Sequence, residues 1–158
     1  MAEVTDEVPD RETFVALYAG LRAFASATRS PGMDPDDLVQ EALTQALRGG
    51  PLARLEHPGA YLRRAILHLA SNDRRRFGRA AAAFRMIGAT EAHLDVYGSD
   101  SSDVLRLKPL DRAVLWLLDV ERWPSSDVAK CLGLSDPAVR KRASRARARL
   151  RRLIGEDR

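Results

Sequence analysis

The spacing of its apolar residues restricts this chain to helices. In each periodic segment these residues recur three or four positions apart, and no segment shows the two-residue alternation that is typical of a half-buried strand. Proline and glycine separate the segments from one another, as they do between helices. The first segment shows the pattern with Phe14, Leu17, Tyr18, Leu21 and Phe24. The sequence therefore predicts an all-α fold.

The second segment carries the signals that begin and end a helix. Asp34 can cap its first turn, Pro35 suits that turn because no amide donor is needed there, and Gly49 can end the helix. Polar residues fall on the opposite side from an apolar stripe. We expect the following stripe to be buried: Leu38, Val39, Ala42, Leu43, Ala46 and Leu47.

A third helix is predicted from about residue 57, and it has two different sides. Leu62, Ile66 and Leu69 form an apolar side, while aromatic and polar residues follow the same spacing on another side. Residues 86–104 lose this periodicity, are acidic, and contain glycine and serine, as linkers do. The chain therefore divides into two small helical domains, residues 1–85 and 105–158, joined by a flexible linker over residues 86–104.

The net charge is only +4, but the charge is segregated along the chain. Residues 48–85 hold nine basic and two acidic side chains, a net charge of +7. Residues 105–158 hold fourteen basic and seven acidic side chains, again +7. Two basic blocks separated by an acidic stretch indicate two surfaces for a polyanion such as a nucleic acid.

Composition argues against several other classes of protein. No apolar run approaches the roughly 20 residues that span a bilayer, and the acidic N-terminus lacks the order of a signal peptide. We therefore predict a cytoplasmic protein without membrane insertion. Its single cysteine, Cys131, excludes an internal disulfide. The histidines have no companion ligands and no catalytic motif stands out, so we expect no metal, no cofactor and no enzymatic activity.

The last two predicted helices have the spacing of a helix-turn-helix. Ala129 is small where the second helix must approach the first, and Gly133 suits a turn with positive φ. Val139 would fill the core between the helices, and Ser135 can cap the second one. The first turns of such a helix enter the major groove of DNA. This predicts DNA contact at the outward positions there: Asp136, Arg140, Lys141, Ser144 and Arg145.

The same helix is unusually basic along its whole length. From Arg140 to Arg152, eight of thirteen residues are basic and none is acidic. The later arginines lie too far along the helix to contact base edges. They would meet phosphate or solvent, and the sequence leaves both alternatives open.

Three segments together resemble one bacterial family, the extracytoplasmic function (ECF) sigma factors. The stretch "DPDDLVQEALTQALR" is similar to the family's second helix, and "AYLRRAILHLASNDRRR" resembles its promoter-melting helix. Residues 105–154 resemble its second domain throughout. The resemblance covers about residues 12–154 and implies two helical domains with a flexible linker. It also implies minus-thirty-five recognition by the second domain and minus-ten opening by the first.

The resemblance implies a protein partner for the second helix. Asp37, Leu38, Gln40 and Glu41 match the motif that binds the clamp helices of core RNA polymerase. A polar, acidic face above an apolar stripe is compatible with a partner helix, and also with plain exposure to solvent. An anti-sigma factor is a further candidate partner.

The resemblance also implies two contacts with promoter DNA. One group matches the face near the melted minus-ten strand: Tyr61, Arg64, His68, Asn72, Arg75 and Arg76. Melting needs cationic groups for the single-strand backbone and a pocket for an unstacked base. Arg140, Lys141 and their neighbours match the helix that recognises the minus-thirty-five element. Family members usually have Asn and Asp where His68 and Asn72 stand.

Three functions are compatible with these residues. The first is a sigma factor that binds core RNA polymerase and directs promoter recognition and transcription initiation. The second is a stand-alone helix-turn-helix regulator, which would bind duplex DNA tightly without polymerase. The third is a sigma-like adaptor that binds polymerase or an anti-sigma partner without opening DNA, an alternative that His68 and Asn72 keep open.

Overall fold

Helices account for the regular structure of the described part of the chain. The structure is a computed structural model that describes the backbone of residues 7–86 and 102–156 and the side chains of residues 10–72 and 104–155. The helices are α1 (Glu7–Thr28), α2 (Pro35–Arg48), α3 (Pro58–Met86), α4 (Ser102–Leu105), α5 (Pro109–Leu115), α6 (Ser125–Leu132) and α7 (Asp136–Glu156). A short 3₁₀ turn covers Leu52–Arg54 and a π-helical turn covers Trp116–Val120. The predicted all-α fold is confirmed.

The first domain consists of α1, α2 and α3 around one core. Leu21 and Phe24 of α1 and Ile66 of α3 are fully buried, at the three- and four-residue positions that the sequence predicted to face inward. Leu47 was also predicted to be buried, and that prediction is wrong because its side chain is 43% exposed. In the last turn of α2 the inward position is taken by Ala46, and Leu47 points about 100° away from it.

The start of α2 follows the predicted capping signals. The Asp34 carboxylate accepts hydrogen bonds from the amides of Asp36, at 2.7 Å, and Asp37, at 3.3 Å. At the other end, the amide of Gly49 donates to the carbonyl of Ala46 at 3.0 Å. Such a cap contributes about 1 kcal/mol to helix stability, so the orientation of α2 is fixed locally.

The second domain packs α5, α6 and α7 around Val114, Leu117, Val128 and Val139, all fully buried. After α5 the helix continues for one turn but widens there to a π-helix. The amide of Glu121 bonds there to the carbonyl of Trp116, five residues back, at 3.0 Å. The chain then turns at Arg122, whose φ of 60° is uncommon for a residue other than glycine.

The predicted linker lies mostly outside the described residues. α3 ends at Met86 and α4 begins at Ser102, so the last residues of the predicted segment 86–104 are helical. The prediction that the segment is flexible therefore falls on residues 87–101, which the structure does not describe. None of the helices in the described ranges is both long enough and apolar enough to cross a membrane.

The two domains are in direct contact. α5 packs on α1 and α3, and α6 packs on α3. Buried apolar residues of both domains belong to one continuous cluster. The sequence predicted a tether between two domains but gave no sign of this contact.

Candidate protein and nucleic-acid interfaces

The outer side of α2 carries three of the four residues that the resemblance assigned to a protein partner. Asp37 is exposed, and Gln40 and Glu41 follow it by three and four residues, exposed on the same surface. The Glu41 carboxylate accepts a hydrogen bond from the Gln45 amide at 3.0 Å. Leu38 is only 4% exposed and belongs to the core of the first domain. The surface is therefore acidic and polar, and Leu38 supports it from the inside.

Asp36, which is not one of the predicted docking residues, attaches α2 to α1. Its carboxylate accepts hydrogen bonds from the Tyr18 hydroxyl and, at 3.0 Å, from Nε of Arg22. These two hydrogen bonds, Tyr18 first, hold the pKa of Asp36 below its usual value. Nothing in the local sequence pointed to its partners, which are 14 and 18 residues away. Asp36 is therefore structural, while its neighbour Asp37 faces solvent.

One side of α3 carries the predicted single-strand residues. Tyr61 is 46% exposed, and Arg64, His68 and Asn72 follow it at intervals of three and four residues, all exposed. Arg75 lies further along the backbone of the same helix, next to Arg76. The side chains of these last two arginines are outside the described residues. The structure thus brings four of the six predicted residues onto one surface.

A cavity of about 280 Å³ lies between this side of α3 and the second domain. The first domain lines it with Arg64, Leu67, His68, Ser71 and Asn72, and the second domain with Leu110 and Leu132. The predicted single-strand surface is therefore partly covered by the other domain of the same chain.

α6 and α7 form the predicted helix-turn-helix. Gly133 ends α6 with a φ of 67°, in the left-handed region that glycine tolerates. Ala129 is 6% exposed where α7 crosses, and Val139 fills the space between the helices with no exposure. The Ser135 hydroxyl accepts a hydrogen bond from the amide of Ala138 at 3.3 Å. Each of these features was predicted from the spacing.

The outward surface at the start of α7 carries four exposed residues: Arg140, Lys141, Ser144 and Arg145. Asp136, predicted to be outward with them, is half-buried. The side chain of Ser125 and the guanidinium of Arg140 hydrogen-bond to its carboxylate and lower its pKa. Asp136 therefore ties α7 to α6 and holds the Arg140 side chain against the first turn.

Two other arginines of the basic helix are used inside the second domain. Arg142 donates to the Asp111 carboxylate at 2.6 Å, and Arg147 donates to the Asp119 carboxylate at 2.6 Å. The sequence had left phosphate and solvent as the alternatives for such residues. Arg142 is adjacent to the buried Ala143, and this position indicated that its side chain could contact the rest of the second domain rather than phosphate or solvent.

Three comparisons with known proteins agree with this arrangement. A family model described as "Sigma-70, region 4" matches residues 104–150, which include most of the second domain. The ECF RNA polymerase sigma factor SigM of Mycobacterium tuberculosis is 28% identical over 156 residues, in strain H37Rv as in strain Erdman. That match covers 92% of this chain and 79% of SigM.

The fold itself is that of a solved sigma factor. That sigma factor is RpoE of Bartonella quintana, solved in a co-crystal structure with the anti-sigma factor NepR. It matches with a TM-score of 0.69 and 24% identity, over 94% of this chain and 98% of RpoE. The second domain is thus similar to sigma-70 region 4, and nearly the whole chain is similar in sequence to an ECF sigma factor.

Proposed function

We propose that this chain binds core RNA polymerase through α2 and directs it to promoters through one DNA contact in each domain. The observation that carries the proposal is the exposed set Asp37, Gln40 and Glu41. In the described part of the chain these side chains make no hydrogen bond to another helix, whereas Asp36 and Leu38 hold α2 in place. The fold does not need this surface, so it is available to a partner.

The minus-ten contact is assigned to the exposed side of α3. Tyr61 offers a flat ring on which an unstacked base can stack, and Arg64 offers a cation for the single-strand backbone. His68 and Asn72 add hydrogen-bonding groups along the same surface. Arg75 and Arg76 stay predicted members of the group.

The minus-thirty-five contact is assigned to the first turns of α7. Arg140, Lys141 and Arg145 are cationic and exposed, so they can reach guanine edges or phosphates in the major groove. Ser144 lies among them, and its hydroxyl can form a hydrogen bond to a base edge or to a phosphate. Asp136 contributes to the DNA contact indirectly, because its carboxylate holds the guanidinium of Arg140 in position.

Gel filtration with core RNA polymerase tests the docking surface. The wild-type chain should co-elute, while Gln40→Ala and Asp37→Arg should weaken co-elution and leave the helical circular dichroism unchanged. Glu12→Ala is the control, because Glu12 is an exposed carboxylate on α1 and does not belong to the docking surface. Unchanged co-elution of both docking variants would refute the assignment of this surface.

Strand opening is tested separately with permanganate, which oxidises unpaired thymines. We expect the chain and core polymerase together to make minus-ten thymines reactive, and Arg64→Ala to reduce that reactivity. Polymerase binding without reactive thymines on any promoter would instead favour a sigma-like adaptor. The chain itself is assigned no enzymatic activity, because RNA synthesis belongs to the polymerase. A cytoplasmic location is the corresponding prediction.

A further inference from the structure

The basic side chains of α7 fall into two groups, those with a carboxylate partner and those without one. Three arginines pair with carboxylates of the second domain: Arg140 with Asp136, Arg142 with Asp111 and Arg147 with Asp119. Five other cations are exposed and form no ion pair in the described part of the chain: Lys141, Arg145, Arg149, Arg151 and Arg152. The fold therefore neutralises some charges of this helix and leaves others to solvent or to a ligand.

Four of the five unpaired cations lie on one side of the helix. Since each residue of an α-helix advances by about 100°, the residues four before, four after and seven after Arg145 all lie within about 40° of it. These four residues form a straight row, which we call the α7 stripe: Lys141, Arg145, Arg149 and Arg152. The stripe is about 17 Å long, at a rise of 1.5 Å per residue. Arg151 points about 100° away from Arg152 and does not belong to it.

The α7 stripe continues the surface that is assigned to the minus-thirty-five element. Lys141 and Arg145 belong to both, because they are exposed in the first turns of α7. Arg149 and Arg152 lie about 20 and 24 Å along the helix from Asp136. The major groove is only about 12 Å wide and it curves around the duplex, so a straight helix leaves it over such a length. The DNA groups nearest to Arg149 and Arg152 are then phosphates at the edge of the groove.

The composition of the α7 stripe fits DNA better than it fits an acidic protein. Within about 60° of Arg145, α7 has no aromatic and no large apolar side chain. The centre of a protein interface is typically aromatic or apolar and poor in charge. Duplex DNA, in contrast, carries about one negative charge per 1.7 Å of its axis and needs no apolar anchor.

The fold gains nothing from the α7 stripe when no anion is bound. Lys141, Arg145 and Arg149 follow one another at intervals of four residues, and like charges at this spacing destabilise a helix slightly. In the described part of the chain no carboxylate relieves this repulsion, whereas Arg142 and Arg147 each have one. A row of phosphates would supply the missing negative charge.

We propose that Arg149 and Arg152 form a phosphate-binding extension of the minus-thirty-five contact. The extension binds the backbone of duplex DNA beside the recognised bases and does not depend on their sequence. It holds the first turns of α7 in the groove, where Arg140, Lys141 and Arg145 reach the base edges. The inference rests on the proposed function, because it extends a DNA contact that is assigned there.

The salt dependence of duplex binding measures phosphate contacts separately from base preference. The full chain is titrated against a fluorescein-labelled duplex of about 30 base pairs and mixed sequence, followed by fluorescence anisotropy at about 50 to 200 mM NaCl. The logarithm of the association constant falls with the logarithm of the salt concentration, with a slope of about −0.9 per neutralised phosphate. Arg149→Gln and Arg152→Gln should each make this slope less negative by about 0.9, and weaken binding about eightfold at 0.1 M salt.

Arg151→Gln is the matched control. It removes the same charge from an exposed arginine next to Arg152, but on another side of the helix. Glutamine is a good helix former, so circular dichroism should show the same helical content in all three variants. The control should keep the wild-type slope within about 0.3 and the wild-type affinity within about twofold.

Three results of this titration would overturn the proposal. Wild-type slopes in both Arg149→Gln and Arg152→Gln would leave the α7 stripe to solvent or to an acidic protein. An equal change in Arg151→Gln would show a general effect of net charge rather than a defined contact. Absence of duplex binding by the wild type at the lowest salt would show that the stripe does not bind phosphate.

Base preference distinguishes failure of this inference from failure of the proposed function. With core RNA polymerase and templates of randomised upstream sequence, Arg152→Gln should select the same upstream motif as the wild type, with lower affinity. A different motif would show that Arg152 contacts bases, and would overturn its assignment to phosphate. If the wild type selects no motif, the proposed function fails, while the salt slopes still test the α7 stripe.

Discussion

Replacing Gly133 by alanine is expected to destabilise the second domain. Gly133 has a φ of 67° at the end of α6, and a Cβ atom in that left-handed conformation costs about 1–2 kcal/mol. The new Cβ would also lie 3.1 Å from Nη2 of Arg64. That atom is the end of a flexible, exposed side chain, which can move by a few tenths of an ångström. Backbone strain, rather than collision, therefore sets the magnitude.

Thermal unfolding by far-ultraviolet circular dichroism measures this effect. A loss of about 1–2 kcal/mol should lower the Tm by about 2–8 °C in a chain of this length. Gly133→Asn should lose less, because asparagine tolerates the left-handed region. Gly155→Ala is the matched control: Gly155 lies in α7 with open space around it in the described structure, so alanine should leave Tm unchanged or raise it. A Tm for Gly133→Ala at or above that of the wild type would refute the reasoning.

Three further predictions concern the core, the α1–α2 contact and the recognition helix. Phe24→Ala should lower the free energy of unfolding by about 3–5 kcal/mol because Phe24 is fully buried, whereas Val15→Ala, at 66% exposure, should change it by less than about 0.5 kcal/mol in denaturant titrations. The pKa of Asp36 is lower in the folded chain than in the unfolded chain, so its ionised carboxylate stabilises the fold at pH values above the ordinary carboxyl pKa. This stabilisation is lost as the pH falls through the pKa of the folded state. Asp36→Asn should therefore weaken the fold at neutral pH and make its stability less sensitive to acid; an unchanged acid profile would contradict this. Arg140→Ala should relax base preference at one minus-thirty-five position by about 1–3 kcal/mol in titrations of single-base variants, and Arg147→Ala, whose side chain pairs with Asp119, should not.

Sequence signals were sufficient where a contact lies within one helix or turn. The Asp34 cap, the Gly133 turn and the buried Val139 were all predicted from spacing, and the structure has each of them. The exposed set on α2 followed from its apolar stripe in the same way. Leu47 shows where an apolar pattern fails to predict burial. In the last turn of α2 the inward position is occupied by Ala46, and Leu47 is exposed.

The interdomain contact could not be predicted, because its partners are far apart in the chain. Arg63 and Glu121 are separated by 58 residues, and Arg112 and Arg29 by 83. Charge did not distinguish these arginines from the exposed ones around them. The usable signal was position: Arg63 lies directly beside the buried Leu62 on α3, and a cation on a buried side requires a partner.

Promoter selection shows directly whether the chain directs core RNA polymerase to specific DNA. Core RNA polymerase is incubated with a library of DNA templates that have randomised upstream sequence, with and without the purified chain, and the RNA 5′ ends are sequenced. We expect the chain to enrich templates that share two motifs, about 25 base pairs apart between centres, and Arg140→Ala to relax only the upstream motif. Transcripts with the same template distribution in the presence and absence of the chain would contradict it.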